Sequence, residues 1–127
     1  MNVRPKYGYS VVSAQGSSFA EACDKVVSTV AGLAGTLVRV VFFGDPADRA
    51  EYVRHLGVIE KTLEKRFGDS RPVFSYVPQP PMGGSVAAEC HILDDDSATV
   101  LYKSVASERY MVVECGSFRE VIAGGLR

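Results

Sequence analysis

From residue 7 the chain reads Tyr-Gly-Tyr-Ser-Val-Val-Ser-Ala, a run that predicts a strand over 7–14. The spacing of apolar residues then changes. Phe19, Ala22, Val26, Val30 and Leu33 fall three and four apart, one stripe along a helix predicted to run to about residue 34. Ser18 followed by Glu21 fits a capping box at its start, and Gly35 supplies a stop. Residues 36–43 (TLVRVVFF) are β-branched and aromatic on both faces, the mark of a central strand. Arg39 is the exception in that strand and is available to a site or an interface. Gly44-Asp45-Pro46 predicts a second helix, with Asp45 as its cap and Pro46 in the first turn. Val53, Leu56, Ile59 or Glu60, Leu63 and Phe67 trace its buried face, and Gly68 ends it. Strands are predicted over 73–77, 86–92, 99–106, 109–114 and 118–123, with Cys115-Gly116-Ser117 as a tight turn.

The stretch 71–93 carries the most chemistry. Alternation puts Phe74 and Tyr76 on one strand face. On the next strand Val86, Ala88, Cys90 and Ile92 share one face, and Ala87, Glu89, His91 and Leu93 the other. A carboxylate and an imidazole two residues apart are separated by roughly 7 Å along a strand, room for a water or a small molecule between their tips. Glu89 also interrupts an apolar strand, where an ionised carboxylate needs a partner. The competing reading is a solvated face, or an ion pair with an Arg across a subunit contact.

The chain has 127 residues, the size of a single domain. Its net charge of −1 argues against a broad basic face for nucleic acid. No apolar run is long enough to span a bilayer, and no signal-peptide pattern opens the sequence. Cys23, Cys90 and Cys115 lack metal-like spacing and read as free thiols of a reducing compartment, so a cytoplasmic location is expected. His55 and His91 are the only histidines, too few for a zinc site with these cysteines, and no cofactor is implied. Asp94-Asp95-Asp96-Ser97 reads as an acidic turn, because it lacks calcium-loop spacing. The element order implies right-handed crossovers with both helices on one sheet face. The opposite face is then left open, and self-association would bury it.

Residues 19–93 resemble the RidA/YjgF family, once labelled endoribonuclease L-PSP. The resemblance rests on the helix ending in Ala34-Gly35, the strand over 38–43, Gly44-Asp45 before the second helix, the strand after Pro72, and Ala88-Glu89-Cys90. It implies an α+β, chorismate-mutase-like single domain over 1–127, with a mixed sheet, two helices on one face, and a homotrimer whose sheets form a central barrel. Small-molecule clefts would lie between subunits. The family opens with a β-hairpin that is missing here, and residues 109–126 resemble it. A circular permutation or a truncated tandem arrangement accounts for this. Permutation is favoured because a dangling apolar hairpin exposes strand edges.

The family's enamine and imine deaminases bind the substrate carboxylate with an Arg at the position of Phe74, and Phe cannot supply that paired hydrogen bond. Arg71 is out of place for the role, which leaves Arg39, Arg109 or Arg119. The family's water-positioning Glu corresponds to Glu89. The resemblance therefore implies a small-metabolite-binding protein diverged from deaminase activity. The alternative is an active deaminase with altered substrate choice. In that case Glu89 activates water, His91 shuttles a proton, Phe74 and Tyr76 wall the pocket, Arg39 and Tyr110 join them in binding substrate, and amides near Gly124 bind an oxygen or carboxylate. RNA cleavage, carried in the old family name, is disfavoured by the slightly acidic, Trp-free chain.

Overall fold

The computed structural model describes residues 5–81, 83–105 and 108–123. Their order is β1 (Tyr7–Ala14), α1 (Phe19–Ala31), β2 (Thr36–Phe43), α2 (Arg49–Phe67), a short 3-10 turn (Gly68–Ser70), β3 (Val73–Val77), β4 (Val86–Leu93), β5 (Thr99–Val105), β6 (Glu108–Cys115) and β7 (Phe118–Ala123). The result is an α+β architecture with two helices, one mixed four-stranded sheet and one antiparallel three-stranded sheet.

The first sheet has the order β1-β4-β2-β3. β4 pairs antiparallel with both β1 and β2, and β2 pairs parallel with β3. β1 and β2 therefore run the same way on either side of β4, connected through α1, and β2 connects to β3 through α2. A parallel connection needs such a crossover, which is why helices and strands alternate up to β3.

Both helices pack on one face of this sheet. Ala22, Cys23, Val26, Val27 and Val30 of α1 and Ile59 and Leu63 of α2 meet Val40, Phe42, Val86, Ala88, Cys90 and Ile92 in one buried cluster. The alternation expected for β4 holds along its whole length. In α2 the buried face is narrower than its periodicity predicts: Val53 is exposed, and Tyr52 packs toward the core instead.

Local hydrogen bonding sets the helix starts. The Ser18 hydroxyl accepts from the Glu21 amide at 3.1 Å, while the Glu21 carboxylate accepts from the Ser17 amide and hydroxyl. The second helix begins later than Gly44-Asp45-Pro46 predicts. Its cap is Asp48, which accepts from the Glu51 amide at 2.8 Å, with Glu51 reaching back to the Ala47 amide at 3.2 Å. The reason is that Asp48, three residues downstream of Asp45, opens an Asp-x-x-Glu pattern that gives the Ala47 and Glu51 amides side-chain acceptors at once. α1 ends at Ala31 with Gly32 as its cap. Gly35 instead forms the turn into β2 at a φ of +93°, where a Cβ would lie 2.9 Å from the Leu93 carbonyl oxygen.

The chain's last three described strands make a meander, β5-β6-β7, separate from the first sheet. The 109–126 hairpin thus forms over its described part, and its hydrogen-bonded neighbour is β5, not β1. This second sheet packs on the face opposite the helices. Met111 and Val113 meet Val38, Val73 and Leu93, with Tyr7, Val100, Tyr102 and Ile122 around them. That face is consequently covered over part of its area, where the sequence predicts it open throughout. Tyr9 and Val11 of β1 remain 68% and 73% exposed beyond the covered part.

Candidate functional site

The site begins with an irregularity in β2. Leu37 pairs with Ile92 and Arg39 with His91, so two β2 residues, Val38 and Arg39, oppose one step of β4. Strict alternation would put Leu37 and Arg39 on the same face, among the helices. The bulge turns Arg39 over instead. Val38 is buried against the second sheet, Val40 is buried under the helices, and Arg39 joins the face that carries Glu89 and His91.

Cross-strand pairing then brings Arg39, His91 and Tyr9 into one row across β2, β4 and β1. The next row holds Val41, Glu89 and Val11. His91 Nε2 lies 3.0 Å from Glu89 Oε1, and the Tyr9 ring meets the imidazole edge-on at 4.9 Å. This corrects the expected gap between the two tips: the side chains lean together along the strand, and no molecule fits between them. The pair is partly solvated, with the Glu89 side chain 44% exposed.

Between this row and β7 lies a cavity of about 380 Å³. Tyr7, Tyr9, Arg39 and His91 line it from the first sheet, and Glu120 and Ile122 from the second. The Tyr7 hydroxyl donates to the Glu120 carboxylate, a bond between the two sheets. Burial, then the Glu120 carboxylate beside it, raise the Tyr7 pKa well above that of a free phenol, so the hydroxyl stays protonated. Arg39 has a buried Nε with no hydrogen-bond partner among the described residues. A buried guanidinium nitrogen without an acceptor is costly, and an anionic ligand in the cavity would relieve that cost.

The other expected residues lie elsewhere. Phe74 and Tyr76 share a face, but it is the helix face, so they cannot wall a pocket at Glu89 in the same chain. Phe74 packs edge-on against Phe42. Tyr76 stacks on Tyr52 and is hydrogen-bonded to His55. Tyr110 neighbours the buried Met111 and so faces away from the first sheet, in register with Lys103 and Ala123. Arg109 donates to the Asp69 carbonyl, and Arg119 pairs with Glu114. Gly124 lies outside the described residues. Tyr7, Tyr9 and Glu120 were missed from sequence. The Tyr-x-Tyr spacing in β1 was the available signal, but nothing local says that β1 lies beside β4.

Among the described residues no group of three His, Cys, Asp or Glu side chains could hold a metal ion. No helix among them is long and apolar enough to cross a membrane. Comparison with family models, with curated proteins and with solved structures finds no match for this chain.

Proposed function

We propose that the chain is a RidA/YjgF-like protein that binds a small carboxylate-bearing metabolite in the Arg39 cavity. The observation that carries this reading is Arg39, whose Nε has no hydrogen-bond partner among the described residues and whose side chain lines a cavity shared with His91 and two tyrosines. A carboxylate there accepts from Nε and a neighbouring guanidinium nitrogen together, the paired geometry that Phe74 denies to the strand on the other side of β2. The strand order β1-β4-β2-β3 with both helices on one face supports a chorismate-mutase-like fold. The uncovered strip around Tyr9 and Val11 supports a homotrimer in which a neighbouring copy completes the cleft.

Calorimetric titration with pyruvate as the probe tests the reading. Saturable binding that weakens at least about tenfold in Arg39→Gln is expected. Binding that is indifferent to the substitution refutes it. Light scattering after size-exclusion chromatography tests the assembly, and a monomer at all concentrations removes the shared cleft.

A second reading, hydrolysis of an enamine or imine, is favoured by the Glu89–His91 hydrogen bond beside the cavity. Glu89 would take a proton from water as its oxygen adds to the imine carbon, while a protonated His91 gives its proton to the imine nitrogen. Glu89 then passes its proton to that nitrogen. The carbon–nitrogen bond breaks as the hydroxyl becomes the carbonyl, the hydroxyl proton returns to His91, and ammonia leaves. Pyruvate release from 2-aminoacrylate generated in situ, abolished in Glu89→Gln, is the expected result. A rate equal to the uncatalysed one leaves binding alone.

A further inference from the structure

The face of the first sheet that carries the helices holds a second cavity, of about 610 Å³, distinct from the Arg39 cavity. It lies where the first two turns of α2 meet the start of α1 and the loop between β3 and β4. Its lining combines both signs of charge with an apolar wall: Asp45, Glu51 and Arg54 face Phe19, Pro80 and Pro81.

His55, also in the lining, is held from three directions. Its Nδ1 is 2.8 Å from the Tyr76 hydroxyl, its ring stacks on Phe19 at 3.7 Å and 5°, and its Nε2 is 3.7 Å from Glu51 Oε1. A carboxylate facing a bare ring lone pair would be repelled, so the hydrogen is assigned to Nε2 and Nδ1 accepts from Tyr76. That leaves an Nε2–H without a close acceptor among the described residues, since 3.7 Å is too long for a hydrogen bond. Gly44 is required beside it, because any Cβ there would strike the Tyr76 hydroxyl. Glu51 and Arg54 are themselves loosely paired at 3.7 Å, with Arg54 67% exposed. Such an exposed pair opens at little cost.

The charges choose among ligands. A simple anion would meet two carboxylates, Asp45 and Glu51, and a simple cation would meet Arg54. A zwitterion satisfies both. We propose that this cavity binds a free α-amino acid with an apolar side chain. Its carboxylate accepts from Arg54 and from the His55 Nε2–H. Its ammonium group donates to Glu51 and Asp45, and its side chain lies against Phe19 and the two prolines. The fixed ring of His55 makes that donor part of the site before the ligand arrives.

Calorimetric titration of the full chain with L-phenylalanine tests this. Saturation at about 1 mM or tighter is expected. 3-Phenylpropionate and 2-phenylethylamine, which each lack one charge, should bind at least about tenfold more weakly. Arg54→Gln and Glu51→Gln should each weaken L-phenylalanine by a similar factor, while Arg39→Gln leaves it unchanged. Arg54 is exposed, and Gln at position 51 can still accept from the Ala47 amide, so both variants keep the fold, checked by circular dichroism. Any other pattern overturns the proposal: no saturation below about 10 mM, equal binding of either analogue, either of the two α2 variants binding as the parent does, or a loss in Arg39→Gln.

Discussion

Burial acts on single residues here in ways that titration can read. Desolvation pushes the thiols of Cys23 and Cys90 up to about 11, so neither is a thiolate at neutral pH. Both should resist a disulfide-exchange reagent at pH 8 in the native protein and react fully once urea unfolds it. His55 is shifted the other way. Burial lowers its pKa from the usual 6.5, Arg54 adds to the fall, and Glu51 opposes it. The unfolded chain therefore binds a proton near pH 6.5 that the folded chain refuses. Stability from this residue is complete above pH 6.5 and is lost as pH falls toward the lowered value. The urea midpoint should drop between pH 7.5 and 5.5, and the drop should shrink in His55→Phe. A midpoint equally steep in that variant would assign the pH dependence to other groups.

Among the elements, the two helix starts are built alike. In each, an Asp or Ser accepts from the amide three residues on, and the Glu at that position reaches back past the cap to the preceding residue. Asp48→Ala should cost about 1 kcal/mol in a urea titration, whereas Asp45→Ala, which removes no cap, should stay within about 0.5 kcal/mol. The first helix start was legible because Ser18-Phe19-Ala20-Glu21 stands alone after a polar turn. The second was misplaced because Pro46 is a strong first-turn signal that the Asp48 box overrides. The faces of β4 were legible for the same local reason: alternation needs no partner. The side on which Arg39 lies was not, because the bulge that decides it depends on the register between β2 and β4, which no short-range pattern encodes. Thus Glu89 and His91 could be placed together from sequence, but their third neighbour could not.

For the molecule as a whole, the first sheet is a middle layer. Its helix face is buried by α1 and α2, and its other face is partly buried by the β5-β6-β7 meander through Met111 and Val113. Met111 is 1% exposed, and Met111→Ala should cost about 2–5 kcal/mol if the meander folds cooperatively with the rest. A loss near zero, with the melting curve unchanged, would mean that the second sheet docks without contributing to global stability. The Arg39 cavity depends on that docking, since Tyr7 from one sheet and Glu120 from the other form its wall. A variant that loosens the meander should therefore lose ligand before it loses helix signal.

The pairing of β1 with β4 also bears on how the chain emerges from the ribosome. Among the described residues β4 is the one strand bonded to both β1 and β2, and it is made about 80 residues after β1, roughly 4–16 s later at ordinary elongation rates. Through that interval Tyr9 and Val11 sit on a strand with no native mate. The nascent chain is then open to capture by chaperones, and slow codons placed before β4 would lengthen the exposure.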